Sequence, residues 1–89
     1  AVSKEVVEKM AMEVKKRFNT DYSIATSGVA GPNGGSELKP VGTVWIAISG
    51  PNGVKSKRFQ FGRNRIRNIK KAALMSMDLL RIEIQKNHQ

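Results

Sequence analysis

Nine residues, Val41–Ser49, read VGTVWIAIS, and no other stretch of the chain narrows the fold as much. The segment is apolar on both of its faces. A strand of that kind belongs in the middle of a sheet, with its faces covered. Its neighbours are close by in sequence. Tyr22–Ser27 is short, with β-branched and small residues, and reads as a buried strand. Gly50-Pro51-Asn52-Gly53 reads as a turn, with Pro51 suited to the first central position and Asn-Gly following. Val54–Phe61 then returns as the second arm of a hairpin. Its Lys55, Lys57 and Arg58 put it near an edge or give it one wet face.

Helices are expected at both ends. Ser3 has the hydroxyl of an N-cap, and Val2 and Val7 have the spacing of a hydrophobic staple. Val7, Met10, Ala11, Val14 and Phe18 recur at helical spacing, which predicts an amphipathic helix over about 3–18 ended by Asn19 and Thr20. A second helix is predicted over about 64–86. Its core stripe is expected to be Ile66, Ile69, Ala73, Met77, Leu80 and Ile84, thickened by Leu74. The order is α-β-β-β-α, with a glycine-rich loop between the first two strands.

That loop, within SGVAGPNGGSELKPVGT from Ser27 to Thr43, is the first candidate for function. Gly28, Gly31, Gly34 and Gly35 leave the backbone free to approach a ligand. Pro32 and Pro40 stiffen it. It lacks the G-x-G-x-x-G order of a dinucleotide site and the Gly-Lys-Ser/Thr of a P-loop. A plain connection between strands and a backbone wall around a small ligand both fit. The second candidate is Arg63, Arg65 and Arg67 at the start of the last helix. Cations there oppose the helix dipole, and helix N-termini with arginines make good phosphate sites. Arg63 and Arg67, four apart, are expected to share a helix face, with Arg65 pointing elsewhere. A solvated basic face is the plainer alternative.

Eighty-nine residues make one domain at most, with a modest core. Sixteen Lys and Arg against seven Asp and Glu give a net charge of +9, which suits an anionic ligand or a polyanion. The chain has no cysteine, which excludes a disulfide framework and a thiolate nucleophile. Its one histidine, His88, lies in the tail, the serines have no histidine near them in sequence, and the carboxylates are scattered. No catalytic set and no metal-ligand spacing can be named. No apolar run approaches a membrane span and no signal-peptide pattern opens the chain, so cytoplasmic residence is expected. The chain begins at Ala1 without an initiator Met and enters a helix almost at once, as after ordinary processing or in a piece of something larger.

The strings SGVAGPNGG, KPVGTVWIAIS and FGRNRIRNI, with DLLR in the closing helix, resemble the C-terminal part of the CinA C-terminal domain family, the nicotinamide mononucleotide (NMN) amidohydrolases also called competence/damage-inducible proteins. The resemblance covers residues 1–89, and those residues correspond to the second half of the family's domain. It implies a three-layer α/β/α fold with a mixed sheet, and hydrolysis of the NMN carboxamide to nicotinate mononucleotide and ammonia without a cofactor. It implies that this half forms a wall of the nucleotide pocket through Gly28, Ala30, Gly31, Pro32, Gly34, Gly35, Arg63, Arg65 and Arg67. The family's Glu-Ser-Cys-Thr-Gly-Gly segment, with its nucleophilic serine, and a later segment with tyrosine and lysine are absent from these residues, so no catalytic residue is assigned. The family usually places Asp and then Arg after the glycine, whereas Arg63, Asn64 and Arg65 follow Gly62 here. Aligning on DLLR makes Arg65 the family arginine, and aligning on Gly62 favours Arg63 with Arg67; the first keeps more matches in register. The missing half of the domain and further copies of the chain are the implied partners. A small basic nucleic-acid-binding or assembly module without catalysis is the alternative. Few aromatics are available for base stacking, and the arginines gather at one helix end, which makes nucleic acid the less expected partner.

Overall fold

The computed structural model describes residues 3–28 and 42–87. Helix α1 spans Lys4–Phe18. Its start is fixed as the sequence predicts, because the Ser3 hydroxyl accepts from the Val6 N–H at 3.2 Å. Its end is a Schellman closure. Asn19 takes the left-handed conformation at φ 51°, its N–H donates to Lys16 O, and the Thr20 N–H donates to Lys15 O. Val2 of the expected staple lies outside the described residues.

Three strands follow, β1 (Ser23–Gly28), β2 (Thr43–Gly50) and β3 (Gly53–Gln60), in the spatial order β1-β2-β3. The apolar segment is the central strand, as expected. Ala25 pairs with Ala47 on one side of it, and Phe59 with Val44 on the other. The expected mixed sheet is not what forms, since both pairings are antiparallel. A parallel pair needs a long crossover, usually a helix. The two described helices precede and follow the strands, and β2 and β3 are joined through Pro51 and Asn52 alone.

Alternation along the strands sorts the contacts of the two helices. Val7 and Ala11 of α1 are buried with Ala25 and Ala47, and Trp45 and Val54 pack against that cluster. Ser23 Oγ donates to Ala11 O, and Ser56 Oγ donates to the Glu8 carboxylate. These sheet residues are all in phase in the pairing register. The residues between them are Val44, Ile46 and Ile48, also buried. Ile46 and Ile48 line a cavity with Leu79 and Ile82 of helix α2 (Arg65–Asn87).

Helix α2 corrects the expectation most sharply. The predicted core stripe is largely outside, with Ile66 68% and Met77 65% exposed and Ile69 and Leu74 exposed as well. The buried residues are Asn68, Ser76 and Glu83. They lie about a third of a turn round the helix from the apolar stripe. Each makes a hydrogen bond that offsets at least part of the cost of its burial. Asn68 Nδ2 donates to Gly62 O at 2.6 Å, Ser76 Oγ donates to Ala72 O at 2.7 Å, and Glu83 accepts from Lys55 Nζ at 3.0 Å. In α1 likewise, Met10, Val14 and Phe18 are exposed although their spacing predicted core. Among the described residues no helix is long and apolar enough to cross a membrane.

Candidate functional site

The glycine loop and the arginine cluster are far apart in sequence, and the fold brings the loop's two ends to the start of α2. Asn64 is the residue that starts the helix. Its Oδ1 accepts from the Arg67 N–H at 2.9 Å, and its carbonyl accepts from the Asn68 N–H at 2.9 Å. Arg65 is therefore the first helical residue and Arg67 the third, while Arg63 stands before the cap. The expected sharing of a face by Arg63 and Arg67 fails for that reason, because helical spacing does not apply across a cap. Arg65 and Arg67, two apart, project to different sides. All three are exposed. The first turn holds no acidic residue, and among the described residues none of the three forms an ion pair. Their charge thus adds to the partial positive charge of the helix end.

Gly42, where the described chain resumes after the loop, is pinned against the segment leading into α2. The Phe61 N–H donates to Gly42 O at 2.8 Å. Gly42 sits at φ +92°, and a Cβ there would stand 2.3 Å from Phe61 O and 2.5 Å from Gly62 O. Only glycine permits this conformation and this approach. Phe61 is held in turn by stacking on Phe59, with ring centroids 5.7 Å apart, and by Lys71 Nζ 5.8 Å over its ring.

Gly28, the last described residue before the loop, closes the other side. A Cβ on it would meet Thr43 O at 2.8 Å and Val44 Cγ2 at 2.9 Å, so the strands meet here without room for a side chain. Gly28 lines a cavity of about 270 Å³ together with Thr26 and Val44 of the sheet and Asn68, Ile69 and Ala72 of α2. The structure thus brings Gly28 beside the first turns of α2, and Gly42 beside the segment that carries Arg63. The other expected loop residues, Ala30, Gly31, Pro32, Gly34 and Gly35, lie outside the described residues.

Sequence reasoning missed Asn68. It is 1% exposed, and its Oδ1 has no hydrogen-bond partner among the described residues. The signal was present in its spacing, since Asn68, Ala72 and Ser76 recur every four residues as a small and polar seam beside the apolar stripe. Among the described residues no group of three or more His, Cys, Asp or Glu comes together. A larger groove, about 600 Å³, runs along the exposed side of α1 past Met10, Val14 and Phe18. It shares no residue with the loop ends or the arginines and is flanked by Glu13 and Arg17.

Residues 1–84 match the family described as CinA C-terminal domain. A CinA-like protein of Fervidobacterium nodosum is 49% identical over 86 residues, 97% of this chain and 21% of the relative. A CinA-like protein of Flavobacterium psychrophilum is 46% identical over 87 residues, again 21% of its length. The chain thus spans about a fifth of the curated relatives it matches. Among solved structures, the competence damage-inducible protein A of Klebsiella pneumoniae superposes with a TM-score of 0.88 at 32% identity, over 96% of this chain and 53% of that one.

Proposed function

Since this chain belongs to the CinA C-terminal domain family, we propose that it is the C-terminal half of an NMN amidohydrolase domain and forms the nucleotide-binding wall of its pocket. The overall reaction adds water to the carboxamide, giving nicotinate mononucleotide and ammonia. The nucleophile and its base lie in the other half, in keeping with the lack of any such set among the described residues. The complete domain is a three-layer α/β/α structure. Its other half covers the apolar sides of α1 and α2 that stand exposed here, and whole domains associate as homo-oligomers.

One observation carries the reading: the ends of the glycine loop meet the start of a helix whose first turn is cationic and unpaired. Oriented backbone N–H groups, a helix dipole and arginines form an anion site without further parts. Arg65, the first residue of the helix, holds the phosphate. The loop and the remaining arginines contribute contacts to phosphate or ribose oxygens. The nucleic-acid alternative gains little from the fold, because Phe59 and Phe61 stack on each other and carry Lys57 and Lys71 over their rings.

The test is turnover. The full-length protein that contains this chain is expected to release ammonia from NMN, while residues 1–89 alone are expected to release none. Enzyme-like turnover by the 89 residues, or none by the full-length protein, contradicts the reading.

A further inference from the structure

Ile46, Val7 and Asn68 are the largest fully buried side chains. Two are hydrocarbons, and the third is an amide seated at the start of α2. The Asn68 Nδ2 donates to Gly62 O at 2.6 Å. A carbonyl can only accept, so this contact assigns the two ends of the amide and leaves Oδ1 as a buried acceptor. Oδ1 has no partner among the described residues. A buried carbonyl oxygen left unpaired carries the full cost of its lost hydration. Such an atom calls for a specific explanation. Asn68 also lines the cavity that opens beside Gly28; Val44, Ile69 and Ala72 there are hydrocarbon, and Thr26, whose hydroxyl is the side-chain donor in the lining, makes no hydrogen bond to Oδ1.

We propose that Asn68 is a ligand-binding residue, its Oδ1 accepting a hydrogen bond from an uncharged donor, a hydroxyl or a carboxamide N–H, on a nucleotide held at the start of α2. This rests on the function proposed above and adds to it a residue with a different task from the arginines. A lone-pair acceptor repels phosphate and carboxylate oxygens, so Asn68 reads the part of the ligand that the arginines do not. Arg65 and Asn68 are the first and fourth residues of α2, about 4.5 Å apart along the helix axis. One nucleotide can reach both, with its phosphate outside the helix end and its sugar or base turned toward the cavity.

The experiment is titration calorimetry on the full-length protein and its Asn68→Leu variant, with NMN, nicotinate mononucleotide and ribose 5-phosphate as probes. Asn68→Leu is expected to bind NMN about five- to tenfold more weakly, the size of one lost hydrogen bond. If the donor is the carboxamide, binding of nicotinate mononucleotide stays unchanged. If it is a sugar hydroxyl, all three affinities fall together. Asn68→Ser, which leaves more room, is expected to show the same pattern and serves if Asn68→Leu does not fold. Unchanged affinities with a lowered melting temperature make Asn68 a structural residue and overturn the proposal. Failure of the unmodified protein to bind any of the three overturns the nucleotide reading itself, and this proposal with it.

Discussion

The two helices pack on the same sheet in opposite ways. Helix α1 buries hydrocarbon, setting Val7 and Ala11 on Ala25 and Ala47. Helix α2 buries Asn68, Ser76 and Glu83, and leaves Ile66, Ile69, Leu74 and Met77 outside. The α1 contact is a hydrophobic core, and its strength comes from excluded water. The α2 contact sets Leu79 and Ile82 beside Ile46 and Ile48 and adds a polar seam, in which Asn68 donates to Gly62 O, Ser76 donates to Ala72 O within the helix, and Glu83 reaches the sheet through Lys55. A buried polar seam adds less net stability than hydrocarbon and tolerates less change. On this comparison α1 holds the chain together, whereas α2, under the function proposed above, offers its cationic end to a ligand and its apolar side to other parts of the protein.

The contrast breaks first at Val7. Val7→Asp puts an unpaired charge in the core under α1 and is expected to cost about 3–5 kcal/mol, read by chemical denaturation of the full-length protein. A loss under 1 kcal/mol removes the distinction between the two contacts. Next is the ion pair under α2. Lys55→Ala strands the Glu83 carboxylate, whose side chain is only 10% exposed, but Lys55 itself is 59% exposed and its attraction is screened. The expected loss is about 1 kcal/mol, falling further when Glu83→Gln is combined with it in a double-mutant cycle. The smallest effect on folding is expected at the outer side of α2. In residues 1–89 alone, sedimentation should show self-association through the exposed apolar side chains, and Leu74→Glu with Met77→Glu should shift the chain toward monomer while changing stability by only about 0.5 kcal/mol. A monodisperse, cooperatively folded monomer before any substitution contradicts the role given to that side.

Much of this fold is legible in the sequence, and the reasons are local. Ser3 caps α1, VGTVWIAIS is central because it is apolar on both faces, and Pro51-Asn52 closes the hairpin. Each of these depends on a few adjacent residues. The seat of α2 was not legible, because periodicity finds the most apolar side of a helix and cannot say which neighbour that side serves. The sheet is served by the seam of Asn68, Ser76 and Glu83, whose burial depends on residues as distant as Lys55. The candidate site was legible in its parts, a glycine loop and a cationic helix start. Their adjacency depends on Gly42 packing on Phe61 and Gly62, a contact between residues about twenty apart. The Asn64 cap then decides which arginines belong to the helix, and the spacing of Arg63 and Arg67 alone pointed the wrong way.

The central claim is that the cationic start of α2 holds the phosphate of a nucleotide, and Arg65 tests it most directly. In the full-length protein, calorimetric titration with NMN and with its dephosphorylated nucleoside should be compared for Arg65→Ala, Arg63→Ala and Arg67→Ala. Arg65→Ala is expected to weaken NMN binding by about 1.5–3 kcal/mol, the range for a charge-assisted hydrogen bond, while nucleoside binding changes much less and the other two substitutions cost less. Equal losses from all three that shrink together as salt rises would show diffuse attraction by a basic surface. That result, or an equal loss for nucleoside and nucleotide at Arg65, would contradict the phosphate site.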